Sequence, residues 1–339
     1  MQDPLATTGP DRRLSVAPMM QCTDRDDRYL LRLLSRRVLL YTEMVTAAAL
    51  LHGDAERLLA FDSVEHPVAL QVGGSDPRAL ARAARLGTWA GYDEINLNVG
   101  CPSDRVQQGR FGACLMAEPA LVAECIAAMQ AEAAVPVTVK TRIGIDHHDS
   151  YEELCRFVET VAGAGCRVFS VHARKAWLRG LSPRQNREVP PLRYEIVHRL
   201  KQDFPGLTIV INGGIRDLDS VQEQLRRVDG VMIGRAAYHD PWMLAGADRR
   251  VFGDDGPAVS RQQVLQTYVR HVRQQLEQGA RLQRMARHVL GLFQGLPGAR
   301  AFRRHISRNA PRRGAGAEVL EDAARLVREP GAESMRRSA

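Results

Sequence analysis

One cysteine stands between a glycine and a proline, in the stretch Asn98-Val99-Gly100-Cys101-Pro102-Ser103, directly after a short strand-like run at 94–98. An ordinary thiol is protonated at neutral pH, so a cysteine placed there can give a proton to a carbanion-like carbon without acting as a nucleophile. The plainer use of a lone cysteine is as a small buried apolar residue. Other polar side chains close similar runs. Lys140 follows Val137-Thr138-Val139, where an ammonium is costly unless it reaches a polar mouth or an acid such as Glu43 or Glu94. Gln71 and His172 end two further runs, and a satisfied core histidine is the plainer reading of the second. Two glycine-rich turns, Asn212-Gly213-Gly214-Ile215 and Gly234-Arg235, complete the set. Glycines let backbone N–H groups approach an anion and Arg235 adds charge, so the pair reads as a phosphate cradle or, failing that, as two tight turns.

The elements that must position these residues alternate. Short β-branched runs occupy 14–18, 38–43, 68–72, 94–98, 137–142, 168–172, 208–212 and 230–234, and helical spacing fills segments such as 77–90, 119–133, 151–164, 192–201 and 218–227. Eight such units predict an α/β fold, a (β/α)8 TIM barrel, because alternating elements build a parallel sheet and eight strands close it. A doubly wound sheet fits less well, since no Gly-x-Gly-x-x-Gly follows the first strand. In a barrel the carboxyl ends of all strands converge on one mouth. That gathers Met19, Glu43, Gln71, Asn96, Asn98, Lys140, Arg142, His172, Arg174, Asn212 and Arg235. A phosphate site on the last two strands, with Gln71 and Lys140 able to meet a pyrimidine edge and the negative charge that gathers near N1 and C2=O on reduction, suits FMN.

The barrel is expected over 12–253 and a small all-helical domain over 254–328, with flexible ends at 1–11 and 329–339. Helical spacing covers 264–278 and 280–294, and one more helix is expected near 319–327. The net charge of +8 sits mostly in the carboxyl-terminal part: 261–313 holds twelve arginines, no lysine and one acid, Glu277. Such a surface suits a polyanion. No apolar run of about 18 residues is present, so no membrane span is expected. The opening residues lack a secretory pattern, and a cytoplasmic location is expected. The six cysteines form no CxxC and no Cys/His cluster, which points to reduced, mostly buried thiols and no metal site.

Several stretches together resemble the tRNA-dihydrouridine synthases, and within them the bacterial subfamily acting on D-loop uridines 20 and 20a. They are Ser15-Val16-Ala17-Pro18-Met19-Met20, Tyr41-Thr42-Glu43-Met44-Val45, Asn96-Leu97-Asn98-Val99-Gly100-Cys101-Pro102-Ser103, Val139-Lys140-Thr141-Arg142-Ile143-Gly144, Val171-His172-Ala173-Arg174-Lys175-Ala176-Trp177 and Ile211-Asn212-Gly213-Gly214-Ile215. The resemblance implies a barrel that binds FMN, draws hydride from NADPH and reduces uridine in tRNA, with a helical domain gripping the RNA. It assigns Cys101 as the acid that protonates C5 after hydride reaches C6. It implies flavin contacts at Ala17, Pro18, Met19, Gln71, Lys140, His172, Asn212, Gly213, Gly214, Gly234 and Arg235. It implies tRNA contacts at Asn98, Arg184, Arg187, Arg300 and Arg303, with Lys175, Trp177 and Arg179 as lesser candidates. A monomer is expected.

Two stretches depart from the family pattern. Gln21-Cys22-Thr23-Asp24-Arg25-Asp26-Asp27 stands where an aromatic residue followed by Thr-Asp-Arg-His is usual, and this segment is expected near the cofactor entrance. Ala236 follows Arg235 where a glutamate is usual. Two other readings compete: a small-molecule flavin oxidoreductase of the dihydroorotate dehydrogenase or old yellow enzyme type, and a tRNA-binding protein without catalysis.

Overall fold

Residues that alternate in polarity along a strand must put one set outward and the other inward. In the computed structural model, which describes residues 9–328, this decides the architecture. Along the strand Glu94–Val99, Ile95, Leu97 and Val99 join the large apolar core beneath the surrounding helices. Glu94, Asn96 and Asn98 take the opposite face, toward the barrel interior. The strand Val137–Arg142 repeats the pattern, with Val137 and Val139 outward and Thr138, Lys140 and Arg142 inward. A second, small apolar cluster of Ala17, Leu39, Tyr41, Ala69, Val210 and Met232 fills the rest of the interior.

Eight parallel strands close the barrel: Leu14–Val16, Leu39–Tyr41, Val68–Gly73, Glu94–Val99, Val137–Arg142, Val168–His172, Thr208–Asn212 and Gly230–Ile233. Closure is direct, since the first strand pairs with the last through Ser15 and Met232 and with the second through Ser15 and Leu39. Each overlaps a run expected from sequence. A two-residue strand, Val45–Thr46, adds to the edge of the third barrel strand and was not anticipated.

The helices form where their caps are written in sequence. Asp76 accepts from Ala79 N and Pro77 opens the helix Pro77–Ala90, which Gly91 ends in the left-handed region. Ser150 and Glu153 form a capping box on Tyr151–Gly163. Beyond the barrel come Arg261–Glu277, Leu282–Ala286, Ala299–Asn309 and Glu318–Ala324. The single helix expected over 280–294 is broken into Leu282–Ala286 and a 3-10 turn, His288–Gly291. The break follows from docking: Gly291 lies against the carbonyl of His239 with no room for a side chain, and His288 turns inward to acids of the barrel.

Those acids belong to the departing segment. Asp24 caps the helix Arg25–Leu34 and also meets Arg287 at 2.6 Å and His288 at 3.0 Å. His271 Nε2 bonds Asp26 at 2.9 Å while its ring stacks on Tyr29 at 3.9 Å. Asp26 and Asp27, expected near the cofactor entrance, are engaged by the carboxyl-terminal helices. Among the described residues no helix is long and apolar enough to cross a membrane, and no acid, histidine and cysteine group could hold a metal. All six cysteines are free thiols, but only Cys125 and Cys166 are fully buried, fewer than expected.

Candidate active site

The mouth of the barrel has two unlike sides. On the third, fourth and fifth strands a chain of neutral groups is fully hydrogen-bonded. Gln71 Nε2 donates to Asn96 Oδ1 and Asn98 Nδ2 donates to Gln71 Oε1, each at 2.8 Å. Asn98 Oδ1 then accepts the backbone N–H of Gly100 at 3.1 Å and of Cys101 at 2.9 Å. Arg142 Nε holds the Gly100 carbonyl at 2.8 Å, and the Cys101 carbonyl accepts from Ala113 N at 2.9 Å. Gly112 is required there, because a Cβ would meet the Cys101 carbonyl at 2.5 Å. The cysteine loop is thus clamped on several sides, with the half-buried thiol 3.5 Å from Ser103 Oγ. Cys101 stands at the mouth near Lys140, Arg142 and Arg187.

The other side is cationic. Lys140 Nζ donates to Asn212 Oδ1 at 3.1 Å, and Asn212 Nδ2 in turn donates to the Met232 carbonyl. Lys140 pairs with neither acid weighed for it: Glu94 is taken by Arg12 at 2.6 Å and Glu43 by the backbone of Gln21. Burial, then Arg142, pushes the Lys140 ammonium down to about 7, a sign that it lacks an anion. His172 lies far below the usual histidine range, first through burial and then through Arg142, Lys140, Arg174 and Arg187, so its ring is neutral. At the rim Glu188 meets Arg235 at 2.8 Å and Arg184 at 3.7 Å.

The cradle itself is shaped by glycine. Gly213 and Gly214 have φ of +117° and +73°, and a Cβ would meet the His172 ring at 2.7 Å in the first case and Leu192 at 2.5 Å in the second. Tyr194 OH fixes the turn by donating to the Gly213 carbonyl at 2.6 Å. Ala17 N donates to the Ile233 carbonyl, which runs Ala17-Pro18-Met19 beside Gly234. A Cβ on Gly234 would lie 3.8 Å from Met19 Sδ. The expected cofactor residues therefore lie around one mouth, where backbone concavity and excess positive charge fit an anionic ligand such as a flavin phosphate.

The RNA candidates divide. Asn98 is buried and its amide is engaged with Gln71 and the cysteine loop, so its first task is to hold that loop. Arg184 and Arg187 are both exposed. Lys175 covers the Trp177 ring at 4.4 Å. Arg300 and Arg303 line a groove of about 740 Å³ with Tyr238, His239 and Arg287 between barrel and helices. Sequence reading missed Tyr41 and Thr138 as members of the interior chain. Strict alternation in Glu94-Ile95-Asn96-Leu97-Asn98 and Val137-Thr138-Val139-Lys140 was the signal for a polar interior.

The dihydrouridine synthase family model matches residues 15–328. The chain belongs to the dihydrouridine synthase family. It is 58% identical over 319 residues to a tRNA-dihydrouridine(20/20a) synthase of Yersinia pestis, covering 94% of this chain and 92% of that one. The enzyme of the same name from Vibrio cholerae serotype O1 is 58% identical over 312 residues, covering 92% and 95%, and that of Salmonella typhi is 57% identical over 319 residues, covering 94% and 96%. Among solved structures, a 2-naphthoyl-CoA reductase complex superposes with a TM-score of 0.54 at 12% identity, over 69% of this chain and 49% of that one. That likeness shows the barrel fold alone.

Proposed function

We propose that this dihydrouridine synthase uses FMN and NADPH to reduce uridine to 5,6-dihydrouridine in the D-loop of tRNA, at positions 20 and 20a. The observation that carries the reading is a thiol clamped at the same barrel mouth as a cation-lined glycine cradle. The names and near full-length identity of the relatives support the substrate. FMN, when bound, supplies the redox chemistry: two electrons taken from NADPH and passed as hydride to C6 of uracil.

The protein's own residues do the rest. Gly213, Gly214, Gly234 and Arg235 hold the flavin phosphate, and Ala17, Pro18 and Met19 line its bed. Lys140, with Asn212 steering its ammonium, neutralises charge on the pyrimidine edge, and neutral His172 adds a hydrogen-bonding partner. Gln71 faces the same edge. Asn98 holds Cys101 close to the target base, and the Cys101 thiol gives its proton to C5 as C6 receives hydride, leaving a thiolate that recovers a proton from solvent. Arg184, Arg187, Arg300 and Arg303 bind phosphates of the RNA, whose target base must leave its stack to reach the mouth.

Mapping dihydrouridine by mass spectrometry in tRNA from cells lacking the gene tests this directly. Loss confined to positions 20 and 20a, restored by the gene and not by its Cys101→Ala form, is expected; unchanged tRNA would overturn it.

A further inference from the structure

The clamp on Cys101 is the upper end of a longer hydrogen-bonded chain that runs down the inside of the barrel. At its foot Arg12 meets Glu94 Oε2, Nε at 2.7 Å, while the other carboxylate oxygen accepts from Tyr41 OH at 2.6 Å and Thr138 Oγ1 at 2.7 Å. Thr138 Oγ1 then accepts from Asn96 Nδ2 at 2.8 Å, and Asn96 Oδ1 accepts from Gln71. Tyr41, Gln71, Glu94, Asn96 and Thr138 are each at most 2% exposed.

We infer that Glu94, with Asn96 and Thr138 as its relay, is a positioning residue that sets the direction of this chain and so the seat of Cys101. Both ends of the chain have fixed polarity. A carboxylate only accepts, and the backbone N–H groups of Gly100 and Cys101 only donate. The hydroxyl and three amides between them can each be turned either way, but one direction alone satisfies both ends. The inference rests on the proposed role of Cys101 only for its effect on catalysis; its effect on the loop does not.

Glu94→Gln puts the two ends in conflict. The guanidinium of Arg12 can only donate, so it keeps the oxygen of the substituted amide and leaves the new NH2 facing Tyr41 and Thr138. Thr138 must then donate to Asn96 and the amides reverse in turn, until Asn98 points an NH2 at the N–H groups of Gly100 and Cys101 and releases them. A second change, Arg12→Gln, supplies an acceptor at the foot and permits the original direction again. Asn96→Leu cuts the chain. Asn96→Asp keeps an acceptor for Gln71, although it buries a second carboxylate and costs more stability.

The measurement is the iodoacetamide reaction rate at Cys101 in FMN-loaded protein, resolved from the other cysteines by peptide mapping. We expect Glu94→Gln and Asn96→Leu to raise it about fivefold or more, and Arg12→Gln/Glu94→Gln and Asn96→Asp to return it to within about twofold of the parent protein. Dihydrouridine formation should fall about tenfold in the first two. Parent-like alkylation in both Glu94→Gln and Asn96→Leu would overturn the inference, as would a rate that tracks melting temperature across all four variants. Should Glu94→Gln not fold, the Asn96 pair decides alone. Failure of the acid assignment looks different: Cys101→Ala would then make dihydrouridine at the parent rate, whatever the alkylation series shows.

Discussion

The amide side of the barrel mouth and its cationic side solve opposite problems. From Glu94 to Cys101 every polar group has its partner, and the result is a neutral, rigid seat for one thiol. Next to it at the same mouth, Lys140, Arg142, Arg174 and Arg187 gather around His172 with Arg235 nearby, and Lys140 is pushed down to about 7. A satisfied network positions a group of the protein; a cluster of like charges suits an anion from outside.

The largest expected effect breaks the amide side alone. Cys101→Ala should lower tRNA reduction by about 10²- to 10⁴-fold, the usual worth of a positioned acid, with stopped-flow flavin reduction by NADPH unchanged. Next comes the cationic side: Lys140→Met should weaken FMN binding by about 10- to 100-fold in a fluorescence titration. The same lysine gives a pH signature. Because its folded value is low and an anion selects the charged form, binding must take up a proton above about pH 7, so FMN affinity should fall as pH rises from there toward 10.5.

Effects at the carboxyl-terminal helices should be smaller. Arg300→Glu with Arg303→Glu is expected to weaken tRNA binding about tenfold and to flatten its salt dependence by roughly two units of slope, without loss of flavin. The junction of barrel and helices has its own titration. His288, held by Asp24 and Asp27 beside Arg287 and Tyr238, is raised from 6.5 to about 9. A raised histidine stabilises the fold fully below its ordinary value and loses that contribution as pH rises through about 9. Melting temperature should therefore drop by about 2 °C or more between about pH 7 and 9.5, and His288→Asn should remove that slope.

Much of this was legible in sequence because it is local. Eight β-branched runs and their capped helices specify a barrel, and in a barrel strand ends must meet, so Gln71, Lys140, His172 and Asn212 were found from four separate strands. The break at 287–292 was not legible, since helical spacing continues through it and only docking of Gly291 on His239 explains it. The pairing of Asp26 with His271, far apart in sequence, is equally a product of packing. The interior chain lies between: alternation announces that Asn96 and Thr138 face inward, but not that they bond each other, which depends on strand register.

An anaerobic single turnover tests the division of labour most directly. Protein whose flavin has been reduced is mixed with unmodified tRNA, and flavin absorbance and dihydrouridine are followed together. Reoxidation with one dihydrouridine formed per flavin, and none with free uridine, dihydroorotate-type acids or enones, is the predicted result. Rapid reoxidation by a free small molecule, with tRNA inert, would contradict it.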